Sequence, residues 1–353
     1  MRRRRGRDGQ RRGRRAAGGV AGRWALKLLE LAGVRKYYAT GSSLFGRSLA
    51  VGRAVDGVDL GLDAGETLGL VGESGCGKST LGRLVLGLER PTAGAIRFQG
   101  RDIHALARRE LKAARREMQM VFQDPYSSLD PRKKVGEAIG EPLSIHRICS
   151  GREKEARVLQ LMEDVGLRPE HANRYPHQFS GGQRQRIGIA RALSVKPRLI
   201  VCDEAVSALD VSIQAQVLNL LQDLQQKYGL TYLFISHDLG VIGHLCDRVS
   251  VMYLGQIVEA GARDAVFDRP LHPYTPALLS ASPSATVGPR ARRPLLKGEV
   301  PSVFHPPAGC RFHTRCPQAK AACREEAPDL VDAGQGHGVR CLEYPGARRE
   351  VSE

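Results

Sequence analysis

A glycine-rich loop near residue 75 carries the side chains best suited to hold phosphate. The segment Gly72–Thr80 reads GESGCGKST and matches the pattern G-x-x-x-x-G-K-[ST]. Its glycines, Gly75 and Gly77 among them, allow backbone N–H groups to wrap a phosphate chain. Lys78 would reach the β- and γ-phosphates, and Ser79 would ligate Mg²⁺. An apolar run before the loop predicts a buried strand and helical spacing after it predicts a helix, so a nucleotide site is favoured over a plain turn.

Two carboxylates follow a second apolar run. The segment 198–204 reads RLIVCDE and predicts a buried strand that ends in Asp203 and Glu204. Open α/β sheets bind ligands beyond the carboxyl ends of their strands, which is where this pair would lie. Asp203 suits the metal shell, and Glu204 suits polarising the attacking water. A solvated acidic pair is the alternative, but such a pair seldom follows a run this apolar.

Ser180, Gly181, Gly182 and Gln183 open a further predicted helix. Small residues let a polyanion approach the backbone, and a helix N-terminus offers free N–H groups and a positive dipole end. Taken alone, Ser followed three residues later by Gln is more simply a capping box. Because a phosphate loop lies upstream in the same chain, we favour phosphate recognition over a simple helix cap.

These three motifs, in this order and spacing, resemble the nucleotide-binding domain of ABC ATPases. The resemblance implies an α/β fold of the P-loop NTPase class, with a mixed sheet core and a helical subdomain at about 125–185. It also implies ATP and Mg²⁺ as cofactors, ATP hydrolysis as the activity, and a nucleotide sandwiched between two subunits. In this arrangement the phosphate loop of one subunit faces Ser180–Gln183 of the other.

The same resemblance implies roles for four more residues. Gln123, in the segment VFQDP, resembles the glutamine that contacts Mg²⁺ and the attacking water and senses the membrane partner. His237, in FISHD, resembles the histidine that contacts the γ-phosphate, and Asp210, in SALD, lies in the loop that crosses to the opposite subunit. Tyr38 resembles the aromatic residue that stacks on adenine, with Tyr37 as the competing candidate.

Four of the eight cysteines crowd the C-terminal region. Five, six and seventeen residues separate successive members of this group, so it lacks the short C-x₂-C pairs typical of zinc sites. A cytosolic ATP-binding protein is a poor setting for disulfides. A zinc ion, an iron–sulfur cluster and unligated thiols therefore all stay open from the residues alone. The four are Cys310, Cys316, Cys323 and Cys341.

The C-terminal region also resembles a subfamily. The segments LHPYT (271–275), LKGEVPS (296–302) and GCRFHTRCP (309–317) look like the C-terminal extension of oligopeptide and dipeptide importer ATPases. The segment 38–56 resembles the F-type rather than the D-type subunit of such importers. This resemblance implies a D-type ATPase partner, two transmembrane permease subunits, an extracytoplasmic peptide-binding protein, and a peripheral location on the cytoplasmic face of the membrane. It also favours a [4Fe-4S] cluster on the four cysteines.

Two other functions compete with peptide import. The same subfamily resemblance allows another cargo, such as nickel, a metal chelate or a glycoside. A soluble ABC ATPase acting on DNA or ribosomes is the second competitor. Such proteins usually carry paired ATPase domains, a long coiled coil or zinc insertions, and none is visible in the sequence. Nucleic acid is therefore not expected as a partner.

The net charge and the length of the chain bear on its N-terminal tail and its domain organisation. The 353 residues carry a formal net charge of +17, and residues 1–24 alone hold ten arginines against one aspartate. This tail could bind nucleic acid or anionic lipid or serve in targeting, but we favour an extension without function. We expect a disordered tail (1–26), an ATPase domain (27–265), an extension with the four cysteines (266–345) and a short tail (346–353). No apolar run reaches the roughly 18 residues that a membrane span needs.

Overall fold

The computed structural model of the chain describes residues 27–42, 48–124, 128–281 and 298–348. The arginine-rich tail at 1–26, predicted to be disordered, lies outside the described residues. The same holds for 349–353, most of the predicted C-terminal tail.

Strands and helices alternate through most of the chain. The strands are β1 (Leu29–Ser42), β2 (Ser48–Leu62), β3 (Thr67–Val71), β4 (Ala93–Phe98), β5 (Arg101–Asp102), β6 (Met118–Val121), β7 (Leu199–Asp203), β8 (Thr231–Ser236), β9 (Arg248–Tyr253), β10 (Gln256–Ala262), β11 (Val331–Asp332) and β12 (Gly338–Val339). The α-helices are α1 (Lys78–Val85), α2 (Arg108–Glu117), α3 (Val135–Ile145), α4 (Gly151–Asp164), α5 (Gly181–Leu193), α6 (Val211–Tyr228), α7 (Leu239–Leu245), α8 (Arg263–Asp268), α9 (Tyr274–Ala281) and α10 (Ala322–Glu325).

An eight-stranded sheet forms the centre of the fold, in the order β11-β12-β10-β9-β3-β8-β7-β6. The five strands from β9 to β6 in this order run parallel. Successive residues of β7 enter two different apolar clusters. Leu199 and Val201 pack with residues of α1, and Ile200 and Cys202 pack with residues of α5 and α6. Burial on both faces explains why the sequence of such a strand is a continuous apolar run.

A second sheet is antiparallel, in the order β2-β1-β4-β5. β1 pairs with a neighbour on each side, and its Leu29 lies opposite Leu62 on β2 and Phe98 on β4. Apolar residues of this sheet share a cluster with α1 and β3. α1, which follows the phosphate loop, is therefore packed against both sheets.

The segment predicted as a helical subdomain, about 125–185, contains α3, α4 and two short 3₁₀ turns (Pro169–Asn173 and Pro176–Gln178) before α5 begins. Ile139 of α3, Met162 of α4 and Ile187 of α5 are fully buried in one apolar cluster. The predicted fold class, a mixed sheet core with a helical subdomain, is confirmed; the domain boundaries stay predictions. Among the described residues, no helix is both long and apolar enough to cross a bilayer.

The apolar sequence of Val249–Val258 predicts one strand that closes the sheet, and this prediction is wrong because the segment forms parts of two strands. The chain reverses at Leu254 and Gly255, with φ angles of 42° and 80°, so that β9 and β10 pair antiparallel. β12 pairs with β10, with Val339 opposite Glu259, so the C-terminal extension adds two strands to the central sheet.

A buried carboxylate ties the extension to that sheet. Glu259 on β10 is fully buried and accepts hydrogen bonds from the backbone N–H groups of Leu271 and His272, at 2.8 and 2.9 Å. The His337 ring lies 2.7 Å from the same carboxylate, and the Thr275 hydroxyl donates to it. A buried charge is tolerated only when such partners replace water. These contacts join residues 271–275 to His337, on the two sides of Cys310, Cys316 and Cys323 in the sequence.

Candidate functional site

The phosphate loop joins β3 to α1 and closes around its own lysine. The Lys78 side chain is buried, and its Nζ donates to the carbonyl oxygens of Gly72 at 2.7 Å and Glu73 at 3.1 Å. The N-cap of α1 is Gly77, with no side-chain cap and no acidic residue in the first turn. The helix N-terminus can therefore offer its N–H groups and its dipole to an anion.

Two glycines of the loop lie where no larger residue fits. Gly72 has a φ of 156°, and a Cβ built there would stand 2.2 Å from the carbonyl oxygen of Met252. Gly77 has a φ of 108°, and its Cβ would stand 2.0 Å from the carbonyl oxygen of Ala54. The loop is thus clamped between the backbones of β9 and β2, and this shape requires glycine.

The acidic pair lies beside the loop. The Ser79 hydroxyl donates to an Asp203 oxygen at 2.9 Å, which joins two of the expected Mg²⁺ ligands. Burial raises the pKa of Asp203 and the charge of Glu204 adds to that rise, while the Ser79 hydrogen bond opposes it. A cation bound at this point would reverse the rise, because it favours the ionised carboxylate.

Glu204 is the meeting point of the other expected catalytic residues. One of its carboxylate oxygens accepts from Gln123 Nε2 at 3.0 Å and lies 3.3 Å from His237 Nδ1. Its φ of 48° is unusual for a residue with a side chain. The backbone N–H of Glu204 donates to the carbonyl oxygen of Ile235 at 2.9 Å, and the Ser207 hydroxyl donates to the carbonyl oxygen of Glu204 at 2.9 Å. A strained backbone held from both sides is typical of functional positions.

One open pocket contains most of these groups. Besides Gln123 and Glu204 it includes residues of the phosphate loop and two that the sequence reading missed, Ala54 and Val303. The backbone N–H of Arg53 donates to the carbonyl of Val303 at 2.9 Å, so the C-terminal extension forms part of the wall. No sequence signal marks Val303. The pocket is lined by Ala54, Ser74, Gly75, Gly77, Lys78, Ser79, Thr80, Gln123, Glu204 and Val303.

The predicted second phosphate motif lies outside this pocket. Ser180 caps α5, and its side chain accepts from the Gln183 N–H at 3.4 Å while the Gln183 side chain accepts from the Ser180 N–H at 3.1 Å. The capping box is therefore present, at an exposed helix start. A Cβ at Gly182 would lie 2.3 Å from Ile213, so close packing also requires that glycine. Asp210, just before α6, is exposed as well.

Of the two tyrosines considered for adenine stacking, Tyr38 is the more available. It is 37% exposed, its hydroxyl donates to Glu89, and the Lys36 Nζ lies 5.0 Å from its ring centroid. The hydroxyl of Tyr37 instead donates to Asp56. Tyr38 does not itself line the pocket, although Thr80, which does, contacts its hydroxyl.

The four C-terminal cysteines converge on one small cavity. Cys310, Cys316, Cys323 and Cys341 line it together with His272, Phe312 and His313, and none is in a disulfide. Burial raises the pKa of Cys310 to about 11 and also raises those of Cys316 and Cys341. Within the part of the chain that the structure describes, no three His, Cys, Asp or Glu side chains are arranged to hold a single metal ion.

Comparisons with known proteins show which family the chain is similar to. The ABC transporter family model matches residues 55–207, and the family model for the C-terminal region of oligopeptide/dipeptide transporters matches residues 258–323. The chain is 53% identical to the oligopeptide transport ATP-binding protein AppF of Bacillus subtilis, over 90% of this chain and 97% of that protein. It is 50% identical to the di/tripeptide transport ATP-binding protein DppF of Pseudomonas aeruginosa, over 84% and 91%.

Solved structures resemble it too. A dimeric, post-hydrolysis structure of the ATP-binding cassette MJ0796 with ADP and Pi superposes with a TM-score of 0.60 and 30% identity, and covers 67% of this chain and 98% of that one. The cbiO1 protein of Clostridium perfringens, part of the ABC transporter complex cbiONQ, gives a TM-score of 0.60 and 25% identity, with 69% and 92% covered.

Proposed function

Because the chain belongs to the ATP-hydrolysing subunits of ABC transporters, we propose that it energises the import of di- and oligopeptides. The observation that carries this cargo is the C-terminal region at 258–323, which matches that of oligopeptide and dipeptide transporters. The names of the relatives AppF and DppF point to the same cargo. This region belongs to the packed structure, since its segments surround Glu259 on the central sheet.

In the proposed reaction, Glu204 polarises the water that attacks the γ-phosphate. Gln123 and His237 contact its carboxylate and would orient the water and the phosphate from either side. Lys78, which lines the pocket, would leave the Gly72 carbonyl and turn to the β- and γ-phosphates. Positioning and charge stabilisation account for most of phosphoryl-transfer catalysis.

The residues beside the loop fit a magnesium ion. Ser79 and Asp203 present a hydroxyl and a carboxylate 2.9 Å apart, and Gln123 lines the same pocket. Oxygen donors of this kind are the ligands that Mg²⁺ prefers, with phosphate oxygens and waters completing the shell. We propose these three as its ligands. When bound, the ion neutralises charge on the phosphates.

The position of Ser180–Gln183 supports a two-subunit site. In one chain these residues lie outside the nucleotide pocket, at a helix N-terminus whose first residue, Ser180, is exposed. We propose that they, with Asp210, contact nucleotide on a second ATPase subunit of the D type. As in ABC importers generally, the ATPase pair works with membrane permeases and a substrate-binding protein. The proposed location is therefore the cytoplasmic face of the membrane.

We further propose that the four cysteines hold a [4Fe-4S] cluster, with zinc as the alternative. Four cysteines lining one cavity is the ligand set of such clusters. Thiolates that share one zinc ion lie within about 4 Å of one another, as Zn–S bonds of about 2.3 Å require. The resemblance of this region to the C-terminal extension of oligopeptide and dipeptide importer ATPases is what favours the cluster over zinc. When bound, the cluster would cross-link the loops of the extension.

The cargo is tested by isolating the assembly. We expect the tagged full-length chain, purified from its native membrane, to bring down two permeases, a D-type ATPase and a binding protein that binds di- or oligopeptides in a ligand screen. A binding protein that takes nickel chelates or glycosides and no peptide would replace the proposed cargo. A second copy of this chain in place of the D-type subunit would contradict the heterodimer.

Replacing Glu204 by Gln tests the base. We expect ATP hydrolysis by the assembled pair to fall by about 10²- to 10⁴-fold, because a general base is lost while the binding groups remain. Nucleotide binding should persist and a closed dimer should accumulate, measured by fluorescent-nucleotide titration and size-exclusion chromatography. Glu325→Gln, on the exposed helix α10, is the control. Turnover that survives in Glu204→Gln would show that another group is the base.

Replacing Ser180 by Ala separates the two halves of the site. We expect hydrolysis to drop while ATP binding to the isolated chain changes less than twofold, because Ser180 does not line its pocket. The lost cap costs about 1 kcal/mol, too little to unfold the helix. Ser150→Ala, at a helix start without a side-chain cap bond, is the matched control. An equal loss of nucleotide affinity in the isolated chain would contradict the proposed trans contact.

Anaerobic purification tests the cysteine site. We expect about four iron and four sulfide per chain, with absorption in the visible range that Cys316→Ser abolishes. Cys149→Ser, outside the C-terminal group, should leave both unchanged. One equivalent of zinc without sulfide would replace the cluster by the zinc alternative, and absence of both would contradict any bound metal.

A further inference from the structure

Nucleotide binding at Gly72–Thr80 is the premise of the following inference. We propose that Arg315, in the cysteine-containing extension, is a positioning residue for the phosphate loop and holds it through Glu73. Arg315 lies 242 positions after Glu73 in the chain.

The contact between the two residues is bidentate. Arg315 Nη1 lies 2.6 Å from Glu73 Oε2, and Nη2 lies 3.0 Å from Oε1. The Arg315 side chain is only 6% exposed and that of Glu73 26% exposed. A planar guanidinium paired with both carboxylate oxygens fixes orientation as well as distance, which a lysine cannot do.

Each polar group of Glu73 has a partner. Its side chain pairs with Arg315, its backbone N–H donates to the Tyr274 hydroxyl at 2.9 Å, and its carbonyl accepts from Lys78 at 3.1 Å. Arg315 and Tyr274 both come from the C-terminal extension. The second residue of the loop is thus held from outside the loop, and the same residue touches the lysine that would meet the phosphates.

The extension offers a rigid base for this contact. The rings of Tyr253, Tyr274 and Phe312 pack edge to face or tilted, with centroids 4.8 to 5.4 Å apart. All three are fully buried, and the Arg315 guanidinium lies 5.9 Å from the Tyr253 ring centroid. Arg311 in the same segment donates to the Leu254 carbonyl and to Asp56. Because its surroundings are fixed, Arg315 can set the position of Glu73.

Position, rather than stability, is what such a contact can contribute. A buried ion pair often adds little net stability, since desolvation offsets the attraction. A loop that must place several N–H groups and Lys78 around phosphates depends instead on its exact backbone path, because small misplacements cost binding and rate. Because removing one partner leaves the other charge unpaired and also destabilises the fold, the nucleotide affinity of the folded protein is the quantity that reports on the position of the loop.

The experiment titrates the full-length chain with a fluorescent ATP analogue, well below the thermal unfolding midpoint of each variant. We expect Arg315→Gln and Glu73→Gln each to raise the dissociation constant about tenfold, since hydrogen bonds to charged groups are among the stronger ones. The dissociation constant of Arg315→Lys should lie between those of these variants and that of the unaltered chain. Tyr274→Phe should weaken binding with the ion pair intact. Arg348→Gln, which removes an exposed arginine 3.7 Å from Glu326, is the matched control.

Non-additivity identifies the pair. The double variant Arg315→Gln/Glu73→Gln should bind no more weakly than either single variant, because both changes break one contact. Should Arg315→Gln fail to fold, Glu73→Gln and Tyr274→Phe give the same readout. Unchanged affinities, or losses that add, would overturn the inference while nucleotide binding by the unaltered chain and the control upholds the proposed ATP site. No nucleotide binding by the unaltered chain would overturn both.

Discussion

The close approach of three backbones at the phosphate loop is the constraint on which the rest of the site depends. At Gly72 and Gly77 the loop lies so near Met252 on β9 and Ala54 on β2 that any side chain would collide. A hydrogen bond from the Gly255 N–H to the Cys76 carbonyl, at 2.9 Å, adds a further contact. The antiparallel sheet and the β9–β10 turn therefore both contact the loop, and together they restrict its backbone conformation.

Charge at the carboxyl ends of the parallel strands is the second constraint. Asp203 and Glu204 are adjacent, and the pKa of Asp203 is raised by burial and by its neighbour. Gln123 Nε2 and His237 Nδ1 approach Glu204, while Ser79 donates to Asp203. The two carboxylates thus have separate partners and separate environments. Such a division is what allows one of an acidic pair to serve a cation and the other to act on water.

Local patterns predicted the parts of the site that lie within one strand–loop–helix unit. The loop at Gly72–Thr80 and the acidic pair at the end of β7 could be predicted because strand, turn and helix signals agree over a few residues. The meeting of Gln123 and His237 at Glu204 required the family resemblance, since they follow different strands. The β9–β10 reversal was missed because apolar residues continue on both sides of Leu254 and Gly255.

Contacts across long sequence separations were beyond local patterns altogether. Val303 reaches the pocket through a backbone bond to Arg53, and Glu259 accepts hydrogen bonds from a segment at 271–275 that the sequence marks by family resemblance but not as a partner of Glu259. Neither contact follows from a local periodicity, because one is made by backbone atoms and the other joins residues from distant segments. The pairing of β12 with β10 likewise rests on a two-residue strand, too short to show alternation.

The geometry of Ser180–Gln183 shows why two readings of one motif need not compete. The cap bond from the Gln183 N–H to Ser180 is 3.4 Å, at the long end for a hydrogen bond, so little is lost when another acceptor takes that donor. A capping box keeps the helix start ordered in the single chain, and Gly181 and Gly182 leave it without bulky side chains. The helix start is ordered, its Ser180 is exposed and it lies outside its own nucleotide pocket, which is compatible with the proposed contact to nucleotide on another subunit.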